Sequence, residues 1–159
     1  MSLQYVIDGY NIINHPAFIR SSALKKSGDN RLALIRFIIA NKTFKNPHNS
    51  VTVVFDGFCA ESRQYNDCGV KVIFSGEISA DEAIKKILES SPKRGNIIVV
   101  SDDRQIQLFT RLQRAKAMSV EEFIPQPKPS AAHQESVKLE LNYTQMEKIN
   151  RELRKLWLE

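Results

Sequence analysis

Cysteine is scarce in this chain, histidine hardly less so, and a long apolar run is missing altogether. The two cysteines, Cys59 and Cys68, form neither a zinc spacing nor a disulfide framework, which points to reduced thiols and a cytoplasmic setting. His15, His48 and His133 stand in no recognisable nucleophile constellation with Ser or Cys, so each is expected at the surface. No stretch approaches the ~20 apolar residues that span a bilayer. The opening Met1-Ser2-Leu3-Gln4 lacks the basic flank and apolar core of a signal peptide. Neither Gly-x-Gly-x-x-Gly nor a P-loop occurs, which leaves dinucleotide and P-loop chemistry unsupported. Membrane, zinc, disulfide and acyl-transfer readings all lose their footing here.

What is present is a repeated ending. Three short apolar runs stop on aspartate: Tyr5-Val6-Ile7-Asp8, Val51-Thr52-Val53-Val54-Phe55-Asp56 and Ile97-Ile98-Val99-Val100-Ser101-Asp102. β-Branched runs of this length, bounded by Gly, Asn or Ser, read as buried parallel strands. A further run, Val70-Lys71-Val72-Ile73-Phe74, is followed by Asp81 and Glu82. In an open parallel sheet the C-terminal strand ends share one rim, where ligands bind. Two unit charges ~4 Å apart repel by roughly 4 kcal/mol at an effective dielectric near 20. Several such acids on one rim would consume much of a small domain's ~5–15 kcal/mol of stability. They must be protonated, neutralised by Lys or Arg, or bridged by a cation. Hard oxygen donors without His or Cys at ligand spacing favour Mg²⁺ or Mn²⁺ over zinc.

Helices are predicted over 29–43, 80–90 and 103–113, strands over 3–8, 50–56, 69–74, 96–101 and 115–118, and a helical turn at 16–24. Asp29 is a candidate N-cap for a helix whose apolar face carries Leu32, Ile35 and Ile39. Ser79 and Glu82 match a capping box, and Ser101 or Asp102 can cap the following helix. The alternation predicts an α/β fold with a mainly parallel sheet. With 159 residues, 42% of them hydrophobic, the chain suits one core-bearing domain plus a short appendage. The expected division is a domain at 1–124, a Pro-rich linker at 125–136 and a strand–helix extension at 137–159. In the extension Met146, Ile149, Leu153 and Leu156 form one apolar stripe, for the domain's own body or for a protein or ribonucleoprotein partner.

The net charge of +5 is unevenly placed. Residues 1–50 carry seven Lys or Arg against two acids, whereas 51–125 carry ten against eleven. A basic segment next to an acidic rim suits a polyanion held close to a metal. A solvated helix face explains the same charges, and Asp-Gly-x-Asn at 8–11 is also ordinary turn chemistry. Asp56, Asp81 and Asp102-Asp103 are likewise ordinary turn or helix-start acids when taken singly. Tyr10 occupies the place where a haloacid-dehalogenase pattern needs a second Asp, and the paired acids of a receiver domain are missing from the first strand.

Several motifs taken in order resemble the YacP-like NYN nucleases of the PIN-like superfamily. They are Val-Ile-Asp-Gly-Tyr-Asn-Ile-Ile at 6–13, Val-Val-Phe-Asp-Gly at 53–57, Val-Lys-Val-Ile-Phe-Ser at 70–75, Ala-Asp-Glu-Ala-Ile at 80–84, Val-Ser-Asp-Asp at 100–103 and Ala-Met-Ser-Val-Glu-Glu-Phe at 117–123. The resemblance covers about residues 3–124. It implies a PIN-like three-layer α/β/α sandwich with an acidic site for Mg²⁺ or Mn²⁺. The implied activity is endoribonuclease, in some relatives directed at mRNA on the ribosome. Position by position it implies Asp8, Asp81 and Asp102 as catalytic acids and metal ligands, Asn11 as the motif amide, and Asp56 and Asp103 as further ligands. Lys25, Lys26, Arg31 and Arg63 are expected to hold the RNA strand. Tyr10 and Tyr65 are expected either to stack a base or to serve structurally. A non-catalytic RNA-binding or ribosome-docking adaptor, with acids that only cap helices, competes with this reading, as does a DNA-directed nuclease.

Overall fold

The computed structural model describes residues 1–21, 28–41, 46–60, 65, 69–125 and 151. The chain divides after Pro125 into two units, Met1–Pro125 and Gln126–Glu159. The linker and extension expected beyond Pro125 lie outside the described residues, Arg151 excepted.

In chain order the first unit runs β1 (Gln4–Asp8), α1 (Gly9–Ile13), α2 (Pro16–Arg20), α3 (Asn30–Ala40), β2 (Ser50–Phe55), β3 (Lys71–Phe74) and α4 (Ala80–Ser90). A 3₁₀ turn at Arg94–Asn96 leads to β4 (Ile97–Val100), α5 (Arg104–Leu112), β5 (Lys116–Met118) and α6 (Val120–Phe123). All strand pairings are parallel, in the order β3-β2-β1-β4-β5. The sheet expected from the sequence is there.

Strand pleating sorts the core into two layers. Ile7 pairs with Val53 on one side and Val100 on the other, and all three point to one face. That face, with Tyr5, Phe55 and Val72, packs under α1, α2, α3 and α6 through Ile12, Phe18, Leu34, Ile38 and Phe123. Val6, Val54, Ile97 and Val99 face the other way, against Ala83, Ile84 and Leu88 of α4 and Ile106 of α5. With apolar residues required on both faces, the strands read as continuous β-branched runs rather than alternating ones.

Three local expectations need correction. In α3 the buried residues are Ala33, Leu34, Ile35 and Ile38, while Ile39 is exposed. This helix is apolar over most of its circumference, so periodicity alone could not choose its inner face. The helix α1, directly after Asp8, replaces the turn expected from Asp-Gly-x-Asn. At α4 the Ser79 hydroxyl accepts from the Glu82 N–H at 3.2 Å as expected, but both halves of a capping box form at Ser119 and Glu122 instead.

The chain moves outward from β1 through β2 to β3, then returns to lay β4 against the opposite edge of β1. The direction reverses between β1 and β4. In such sheets the crevice beyond the C-terminal ends at this reversal is the preferred ligand site. Among the described residues no helix is long and apolar enough to cross a membrane.

Candidate active site

Asp8 ends β1 at that reversal and is only 7% exposed. The buried Ser101 hydroxyl, at the end of β4, donates to Asp8 Oδ2 at 3.3 Å. Gly9 allows the backbone to pass hard against Phe55: a Cβ there would lie 2.3 Å from the ring's Cε1. That ring is fully buried and stacked on Phe74 at 5.6 Å, so it has no room to yield. The glycine therefore lets α1 begin immediately after Asp8 and carries Asn11 to the rim.

Asn11 Oδ1 accepts the Asp102 N–H at 3.0 Å, tying α1 to the end of β4. The Asp102 carboxylate is spoken for on both oxygens. Its Oδ1 accepts the Val120 N–H at the start of α6 at 2.9 Å, and Oδ2 lies 3.2 Å from His15 Nε2. His15 Nδ1 accepts the Ala17 N–H that opens α2, so the proton of the neutral ring resides on Nε2, facing Asp102. Asn11, His15 and Asp102 thus lock three helices to one strand end.

Asp103 is turned to different work. It caps α5, accepting the Gln105 and Ile106 N–H groups at 2.8 and 3.1 Å, while its own N–H donates to Ser101 Oγ. The cap expected at Ser101 or Asp102 therefore falls one residue later, because Asp102 is drawn away to α2 and α6. On the far side, Asp56 Oδ1 accepts the Ala80 N–H at 3.1 Å and the Ser75 hydroxyl at 3.3 Å, which pins the start of α4. Asp81 sits in the first turn of that helix.

The electrostatics separate the acids further. Burial, and then the negative charges of Asp81 and Asp103, push the Asp8 carboxyl up to about 6, against the pull of the Asn11 N–H and the Ser101 hydroxyl. Asp81 is also raised, first by burial and then by Asp103 and Asp56, with Lys85 opposing. Asp8, Asp81 and Asp103 thus repel one another.

All six residues expected at the site (Asp8, Asn11, Asp56, Asp81, Asp102 and Asp103) line one cleft of about 580 Å³, together with Tyr10 and His15. Among the described residues, no three His, Cys, Asp or Glu side chains are placed so as to grip a single ion directly. His15 was expected at the surface; its side chain is instead 19% exposed and bonded into the cleft. The His-Pro pair at a helix start was the only sequence signal for it.

Of the residues expected to hold RNA, Lys25, Lys26 and Arg63 lie outside the described residues. Arg31 Nε donates to the Tyr10 hydroxyl at 3.0 Å, and its guanidinium lies 5.8 and 5.6 Å from the Tyr10 and Phe74 ring centroids. Tyr65 is a core residue that donates to Asp29 Oδ2 at 2.7 Å, the structural role rather than the stacking one.

The sequence model of the YacP-like NYN domain matches residues 5–159. The chain belongs to the YacP-like NYN family. The match takes in the tail beyond 124, further than the motifs quoted above. Two crystal structures of Rae1 (YacP) from Bacillus subtilis share the fold. A point variant is 25% identical, with a TM-score of 0.55, covering 99% of this chain and 85% of that one. The other is 23% identical, with a TM-score of 0.59 over 96% and 87%. No curated protein sequence matches significantly.

Proposed function

We propose that this YacP-like NYN protein is a metal-dependent endoribonuclease acting at the Asp8 cleft. The observation that carries the reading is Asp8 itself. It is buried, it stands at the start of α1 with only a partial pull from the Asn11 N–H, and it is held beside two like charges at a cost to the fold. A carboxylate kept under those conditions suits a doubly charged cation. The donors are all hard oxygens, which fits Mg²⁺ or Mn²⁺. Asp8, Asp81 and Asp103 would hold the ion, with Asp56 behind Asp81. When bound, the cation lowers the pKa of a water and offsets charge on the leaving oxygen.

The chain's own residues set the geometry. Ser101 orients the Asp8 carboxylate, and Asp56 fixes the helix start that carries Asp81. Asn11, His15 and Asp102 hold α1, α2 and α6 around the cleft, and in this reading Asp102 and Asn11 act by positioning. Family membership favours RNA as the substrate and the cytoplasm as the setting, with mRNA near the ribosome as the narrower form of the proposal. The adaptor reading draws on Asp103 and Asp56, which do serve helix N-termini, but it leaves unexplained why Asp8 is buried beside two like charges.

The deciding experiment is cleavage of a mixed RNA pool beside matched DNA. Wild type is expected to cut RNA with Mn²⁺ and to stop with chelator. Asp8→Asn and Asp81→Asn should lose on the order of 100-fold or more, as removal of several kcal/mol of charge stabilisation implies. Undiminished cleavage by Asp8→Asn would sink the assignment, and RNA binding without any product would favour the adaptor.

A further inference from the structure

Two residues past Asp56, on the sheet rim that carries the cleft, stands an aromatic ring that the fold does not bury. Phe58 is 75% exposed, the most exposed large apolar side chain among the described residues after Met1 and the only aromatic in that group. Burying a phenyl ring is worth roughly 1.5–3 kcal/mol, so leaving one in water is a standing cost.

The backbone carrying it is firmly held. Gly57, at φ +85°, donates its N–H to Ser75 Oγ at 3.1 Å, and its carbonyl accepts the Gly76 N–H at 2.9 Å. The tip of the Phe58 ring rests against Gly76, 3.4 Å from where a Cβ would stand, and the rest of the ring faces solvent. On either side in sequence the chain is anchored. Asp56 lines the cleft and bonds the start of α4, and Cys59 packs against the core close to Arg31. Arg31 is in turn fixed by Tyr10, which also lines the cleft. A presented aromatic face on the same sheet rim as a held guanidinium is a combination with which single-stranded nucleic acids are bound. The ring stacks a base of any identity, and the cation attracts the backbone.

We propose that Phe58 is a base-stacking platform on which one unpaired nucleobase of a single-stranded RNA rests, setting the strand's register over the acidic cleft. This rests on the nuclease reading for its substrate but not for its measurement. A ring stack is indifferent to base identity, so Phe58 contributes affinity and register rather than sequence preference.

The test uses the full chain in chelator and a fluorescein-labelled single-stranded RNA carrying 2-aminopurine at successive positions. Wild type should bind the strand and quench the 2-aminopurine at one position. Phe58→Ala should weaken binding on the order of 5- to 100-fold and abolish that quench, and Phe58→Trp should restore both. An abasic nucleotide at the quenched position should weaken wild type by the same factor and leave Phe58→Ala unaffected. Because the ring is exposed, the variants should melt with wild type. Equal binding and quenching by Phe58→Ala, failure of wild type to bind, or a loss shared equally by every abasic strand would overturn the platform. Mn²⁺-dependent cleavage of the same RNA by wild type keeps the two readings apart. Cutting without any effect at Phe58 removes only the platform, and stacking without cutting removes only the nuclease.

Discussion

The cleft has two sides built on opposite principles. Along one side Asn11, His15 and Asp102 are knitted together by hydrogen bonds across helices and strand. Along the other, Asp8, Asp81 and Asp103 meet as like charges, and burial adds to the strain. The knitted side stabilises the domain; the repelling side destabilises it as it stands. A fold retains such a liability where the charges have a use, and the boundary falls between two adjacent residues, Asp102 and Asp103.

The largest effect that can break this contrast is at Asp8. Its carboxyl has an ordinary value of 3.8 in the unfolded chain and about 6 in the fold. Well below pH 3.8 both states hold the proton and no penalty exists. As pH rises through that window the unfolded state ionises first, and stability falls until the folded carboxyl also ionises. Asp8→Asn should therefore be more stable than wild type by about 2–3 kcal/mol at pH 7.5 in chelator, fading to nothing at about pH 2.5. Denaturant unfolding at the two pH values measures it; a variant less stable at pH 7.5 would show that the repelling side is not strained.

Removing the knot should go the other way. Asp102→Ala strips the acceptor from the Val120 N–H and from His15 together, and is expected to cost about 1–2 kcal/mol. The loss should be insensitive to divalent cations, which would separate Asp102 from its neighbour. The smallest effect is expected at His15→Ala, about 0.5–1 kcal/mol, since its bonds lie at the edge of the cleft. A joint Asp102→Ala/His15→Ala variant should then lose less than the two single losses added, because they share one contact.

Much of this was legible before any coordinates. The β-branched runs ending on Asp8, Asp56 and just before Asp102 announced parallel strands with acids at one rim, because strand pleating and sheet direction leave little choice once both faces are buried. Caps at Asp29 and Ser79 were readable because they are local, spanning two or three residues. The burial of α3 was not, since an almost wholly apolar helix offers several inner faces. Nor was the role of His15, whose partner lies 87 positions along the chain.

What the order of residues alone determined is the α/β alternation, the parallel direction and the gathering of acids at the strand ends, all consequences of short-range periodicity and backbone geometry. Which of two neighbouring aspartates joins the helices and which faces Asp8 was decided only by the tertiary structure. Both share one composition and one strand end. Their separation depends on an acceptor from α1 and donors from α2 and α6 brought together by packing, and a carboxylate turns toward whichever N–H groups the fold presents.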